Sequence, residues 1–233
     1  MMIIEMSIFW WLSREICFIA GTYFALIFQL SVSCLKDFLY LCGCNTSTYM
    51  EKVELTERLS SRMGVDAAVA LWNEVLKTDT ADLLFSLCAS SDAVVARNAA
   101  WVLTQFSDGD LAMLLHRQGE ITDLVLRTPN TSLRRLLLSV LYRMPFRGDD
   151  IRVDLLDFCL ENMVAAHQPP GVQSLCMKMA HRMCAPYPEL EAEFLRTIKD
   201  MNPYHYSAAV TSARKNILAG MKKHRRAKTK QTL

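Results

Sequence analysis

A fifteen-residue helical pattern that the chain writes more than once constrains its fold more than any other feature. Residues 92–106 read D-A-V-V-A-R-N-A-A-W-V-L-T-Q-F. Val95, Ala99, Val102, Leu103 and Phe106 recur at helical spacing and make one apolar stripe. Asp92 stands at the N-cap, where a carboxylate can accept free backbone N–H groups. The pattern returns at 130–144, N-T-S-L-R-R-L-L-L-S-V-L-Y-R-M. Val95 falls on Leu133, Arg97 on Arg135, Ala99 on Leu137, Val102 on Val140 and Leu103 on Leu141. A fainter third copy lies at 169–183, with Val172, Cys176, Met179, Ala180 and Met183 as its stripe. A fourth starts near Tyr206, with Ala209, Ala213 and Ile217.

Between these copies lie segments that read as their helical partners. Residues 53–62 and 65–77 open the series, and Thr78, Asp79 and Thr80 offer an N-cap for a helix over 81–89. Ser90 and Ser91 break the chain before the Asp92 helix. Residues 110–127, with Gly119 as a kink or break, precede the second copy. Residues 149–164 precede the third, and 187–201 the last. Pro169, Pro170 and Gly171 mark a turn, as do Pro186, Pro188 and Pro203. The connections are short, so successive helices pack antiparallel. Only eight Gly and seven Pro interrupt 233 residues, and alternating β patterns are nearly absent, so the expected class is all-α. With 52% apolar and 21% charged residues the chain is not disordered overall. Cys88, Cys159, Cys176 and Cys184 sit at apolar helical positions, where a free thiol acts as a small hydrophobe. Reduced, buried thiols of a cytoplasmic protein are expected rather than a disulfide framework.

The first 49 residues differ in kind. Residues 16–35 (I-C-F-I-A-G-T-Y-F-A-L-I-F-Q-L-S-V-S-C-L) are uncharged and long enough to cross a hydrocarbon core as a helix. The flanks Arg14, Glu15, Lys36 and Asp37 give no orientation, and a basic signal-peptide start is lacking. Two readings stand. The segment is a membrane anchor, or Met50 is the natural start and 1–49 an upstream extension. Cys42 and Cys44 are too sparse for a metal motif. The expected organisation is an apolar extension over 1–49, a repeat domain over 50–221 and a basic tail over 222–233.

A period of about 38 residues with two helices per unit is the pattern of an α-solenoid. The D-x-x-V-x-R-x-A-A-x-x-L run over 92–103 resembles the second helix of a HEAT repeat, and the resemblance covers roughly 65–221. It extends to the small stand-alone HEAT-type proteins of bacteria. It implies a right-handed α-α superhelix of about four helical pairs, and it implies no reaction. In that family the second helices line the concave surface. The face opposite each buried stripe then offers Arg97, Asn98, Trp101 and Gln105, next Arg135, Ser139 and Arg143, then Ser174, Lys178 and Arg182, and last Lys215. Arg97 and Trp101 are i,i+4 neighbours, so the guanidinium can lie on the indole. Such a basic ridge suits an acidic peptide or a nucleic-acid backbone. Against this stands a stacking role for Arg97 and Arg135, bonded to Asp92, Asp149 or Asp154 of a neighbouring unit. Arg143, Lys178 and Arg182 can equally be solvated charges, and Trp101 can pack under a neighbour.

The formal net charge of +2 conceals a split. Residues 50–221 carry 18 basic and 21 acidic side chains, and 222–230 (K-K-H-R-R-A-K-T-K) carries six basic and none acidic. Solvation or helix-dipole pairing accounts for that run, and nucleic acid or an anionic membrane is the alternative. Membrane attraction applies only if 1–49 belongs to the natural chain. No Gly-rich phosphate loop, G-x-S-x-G or H-E-x-x-H occurs. Cys176, His181 and Cys184 are spread around one helix, and His116, His167 and His205 have no catalytic neighbours in sequence. No cofactor, metal or small-molecule substrate is expected. The enzymatic analogy to weigh is the HEAT-like glycosylases of alkylated DNA. The leading expectation is a non-catalytic scaffold that binds a protein or peptide, with nucleic acid as the alternative.

Overall fold

The computed structural model describes the backbone of residues 46–146 and 152–231, and side chains over 51–146 and 152–222. Residues 16–35, with the anchor reading, and Asp149 lie outside it. Among the described residues no helix is long and apolar enough to cross a membrane. The chain divides into two compact units, 1–55 and 56–233. Of the first, only 46–55 is described, as the start of helix α1 (Thr46–Ser60). The second is the helical array.

The array is all-α among the described residues. Helices α2 (Val65–Thr78), α3 (Ala81–Leu87) and α4 (Ala93–Leu103) lead into a 3-10 segment at Asp110–Arg117 and α5 (Gln118–Arg127). Then come α6 (Thr131–Arg143), α7 (Val153–Val164), α8 (Pro170–Cys184), α9 (Pro188–Asp200), a 3-10 turn at Pro203–His205 and α10 (Ala208–Gln231). The pairs α3/α4, α5/α6, α7/α8 and α9/α10 are the four repeats. The break in 110–127 falls before Gln118, and Gly119 lies inside the first turn of α5. The basic run from Lys222 is a continuation of α10, whose backbone stays helical to Gln231.

The apolar stripes are the core. Val95, Ala99, Val102, Leu103 and Phe106 are buried, as are Leu133, Leu137, Val140 and Leu141, and Val172, Cys176, Met179, Ala180 and Met183. In α10 the expected Ala213 and Ile217 are buried, together with Val210 and Met221, and Ala209 alone faces out, because the larger Val210 side chain takes the core position. Local caps set where second helices start. Asp92 accepts from the Val94 and Val95 N–H groups, and Asn130 from those of Ser132 and Leu133. Thr80 stands at the N-cap of α3 without a side-chain cap bond, its hydroxyl being bonded to that of Thr78. Cys88, Cys159, Cys176 and Cys184 are free and buried. Burial raises the Cys88 thiol, and burial with Glu193 and Glu191 nearby pushes Cys184 up to about 11.

The second helices α4, α6, α8 and α10 pack directly on one another along the array, while the first helices approach each other far less. In a stack of paired helices the layer with the closer spacing lies on the inside of the curve. The face offered by the second helices is therefore continuous, with equivalent positions side by side.

Candidate partner-binding face

The cationic side chains of the second helices fall into two sets. The first is spent on backbone. The last carbonyls of an α-helix have no partner within it, and they attract cations and N–H donors. Within each of three pairs, a residue early in the second helix reaches the end of the first. Arg134 donates to the carbonyls of Val125 and Thr128 and stacks over the Phe158 ring. Gln173 donates to Ala165 at 2.8 Å, and Arg214 to Ile198 and Lys199. The repeat register puts Ala96 at this place in the first pair, so the bracket is absent there.

A second bracket links one pair to the next. Arg143, at the end of α6, donates to Thr104 O at 2.9 Å, to Phe106 O, and to the Asp108 carboxylate at 2.8 Å. These acceptors follow α4, so one guanidinium closes the end of the preceding second helix. Arg182 of α8 does the same for α6, donating to Tyr142 O and lying over the Tyr142 and Phe146 rings at 5.8 and 5.2 Å. Asn98 of α4 is buried and donates to Leu59 O at 2.8 Å and Ser61 O at 3.0 Å, closing the end of α1. Asn98 is thus not on the accessible face, contrary to expectation, and Arg143 and Arg182 are not solvated charges. Replacing Asn98 by Leu keeps the volume and strands the Leu59 and Ser61 carbonyls. A loss of about 2 kcal/mol is expected, read as a thermal midpoint lower by roughly 4–8 °C. An unchanged midpoint would refute the bracket.

The other set is unpaired. Among the described residues no carboxylate stands within ion-pair distance of Arg97, Arg135, Lys178 or Lys215. The expected pairing of Arg97 and Arg135 with Asp92 or Asp154 does not form. Asp92 caps its own helix, and Asp154 is taken by Arg152 at 2.6 Å. Nor does Arg97 lie on Trp101. Its guanidinium turns to Asn98 Oδ1 at 3.4 Å, because Asn98 sits beside it with that oxygen unclaimed by the α1 carbonyls. Arg97, Arg135 and Lys215 are exposed, and Trp101, Ser139, Ser174 and Lys178 are half-buried. Gln105 is half-buried and donates to Trp101 O and the Thr104 hydroxyl.

The larger regularity is one of sign. Helices α4, α6, α8 and α10 contain 14 Lys and Arg residues and no Asp or Glu. The first helices of the pairs, α3, α5, α7 and α9, contain 10 acidic residues against three basic, and α2 before them adds two acidic and one basic. Acids on that side are held by arginines from outside the second helices. Arg58 pairs with Glu74, Arg117 with Asp82 and Glu120, and Arg152 with Asp123 and Asp154. The Arg117 guanidinium beside Asp82, with His116 next to it, holds the Asp82 carboxyl below its ordinary range. The body is therefore acidic on one layer and basic on the other, which its small net charge hides.

A cavity of about 580 Å³ lies elsewhere, lined by Leu115, His116, Gln118, Gly119, Thr122, Pro145, Phe146 and Arg152. No sequence signal pointed to it, because its wall combines two segments far apart in the chain, joined where Gln118 donates to Pro145 O. His181, set aside from a metal role on spacing, lies with its ring 5.7 Å from that of Phe194.

Among known proteins, the HEAT repeat domain matches residues 55–221. No curated protein and no solved structure matches the chain. The matched span takes in the four helix pairs up to Met221 of α10 and every bracket described above, so the chain belongs to the HEAT repeat family.

Proposed function

We propose that the array is a non-catalytic interaction module whose second-helix face binds an acidic segment of a protein partner. The observation that carries this is the absence of any carboxylate from four stacked helices that hold eight Lys and Arg residues before Lys222. A surface of one sign attracts the opposite one and speeds its encounter. Arg97, Arg135, Lys178 and Lys215 are the residues free to contact it, with Trp101 beside them as an apolar anchor. The same absence gives a glycosylase no carboxylate on these helices to place beside a damaged base.

A second reading has its own observation. The helical run over Lys222–Lys230 adds six basic residues in nine positions, which suits a nucleic-acid backbone. Titration of the full chain with labelled polyglutamate and with single-stranded DNA, at several salt concentrations, separates the two. Tighter binding of polyglutamate supports a protein partner. Tighter binding of DNA, with the steep salt dependence of counterion release, moves the assignment to nucleic acid.

Gly171 supplies a linked test. A Cβ there would meet Arg135 Cδ at 2.8 Å, so the aliphatic stem of Arg135 lies across the first turn of α8. Gly to Ala in a helix ordinarily stabilises by about 1 kcal/mol. For Gly171→Ala that gain is expected to be offset by displacement of Arg135, leaving the midpoint near that of the parent and weakening polyglutamate binding several-fold. A full gain in stability with unchanged binding would show that Arg135 moves aside without consequence.

A further inference from the structure

We infer that the second-helix face reads an extended acidic peptide with its carboxylates at every third residue. This rests on the proposed acidic partner and adds a spacing rule to it. Arg97, Arg135 and Ser174 are each the fifth residue of α4, α6 and α8, and Lys215 of α10 follows the bracket residue Arg214 as Arg135 follows Arg134 and Ser174 follows Gln173. These four helices pack in succession. Packed helix axes lie about 8–10 Å apart, so the row offers one position at each such step across the helices.

A β-extended chain rises about 3.3 Å per residue, so every third residue advances about 10 Å. The two spacings agree. A segment crossing the helices at right angles meets Arg97, Arg135 and Lys215 with its first, fourth and tenth residues, and Ser174 with its seventh. Lys178, one turn along α8 from Ser174, keeps that third rung positive. One turn from Arg97 stands the half-buried Trp101, an apolar neighbour for an adjacent residue of the peptide. A nucleic-acid strand carries one phosphate per about 3.4 Å of axis, so its charge cannot be confined to every third unit as a peptide's can, and the oligonucleotide in the test below separates the two. Arg134, Arg143, Arg182 and Arg214 do not blur the spacing, because helix-end carbonyls hold them.

The test uses the full chain and two labelled ten-residue peptides of identical composition. One carries Glu at positions 1, 4, 7 and 10, in an otherwise Gly and Ala background. The other carries its four Glu residues in one block. Fluorescence anisotropy at low salt is expected to give at least tenfold tighter binding of the spaced peptide. Arg97→Glu with Arg135→Glu is expected to abolish that preference, whereas binding to the terminal basic helix would survive it. Equal affinity for the two peptides overturns the spacing rule and leaves an acidic partner standing. Failure of both peptides and of polyglutamate overturns the acidic partner itself. Preference for a single-stranded oligonucleotide over all three overturns both.

Discussion

Replacing Arg143 by Met is expected to lower the thermal midpoint of the chain by roughly 6–12 °C, about 3 kcal/mol for a domain of this size. Arg143 makes three hydrogen bonds across to the preceding repeat. It spans from the end of α6 to Thr104 O, Phe106 O and Asp108, three acceptors that follow α4. Bonds from a charged donor contribute about 1.5–3 kcal/mol each where they are sheltered. The total is discounted because the Asp108 side chain is 77% exposed, which leaves that ion pair worth little. The two carbonyls carry the effect, since Met fills the space of the Arg stem and offers them no hydrogen. Arg182→Met removes a donor to one carbonyl and should cost about half as much. Circular dichroism melts of both variants check the order. A midpoint for Arg143→Met equal to that of Arg135→Met would mean that the bracket contributes nothing.

Reversing Arg97 and Arg135 together is expected to do the opposite. Arg97→Glu with Arg135→Glu should leave the midpoint within about 0.5 kcal/mol of the parent, because neither residue has a carboxylate partner to lose among the described residues. Polyglutamate binding should fall by roughly 50-fold, about 2.3 kcal/mol, as two attractions become repulsions. Isothermal titration of the parent and the variant at one salt concentration measures it. Lost stability with the same loss of binding would return both arginines to a stacking role.

These two experiments divide a group of residues that looked alike in the sequence. Arg97, Asn98, Arg135, Arg143 and Arg182 all lie opposite an apolar stripe on a helical projection. Projection gives the angle of a side chain about its own axis. It does not give the height at which a neighbouring helix ends. Arg143 and Arg182 lie in the last turn of their helices and meet the ends of the preceding second helices, one repeat earlier in the chain. Arg97 and Arg135 lie mid-helix, where the neighbour's carbonyls are already bonded within it. Asn98 is one residue from Arg97, yet the roughly 100° of rotation per helical residue turns it from the open face to the end of α1.

The repeats, the all-α class, the apolar stripes apart from Ala209 and the caps at Asp92 and Asn130 were determined by the sequence alone. Each is a local property: a helical period in the apolar residues, a side chain close in sequence to the amide it caps, and the recurrence of both one repeat later. The charge difference between the two layers was also written there, once the helices were sorted into first and second. The tertiary structure alone decided which cations are spent and which are free. That choice depends on where a helix from another repeat terminates, and unsatisfied carbonyls at such an end capture whatever donor the packing brings within reach.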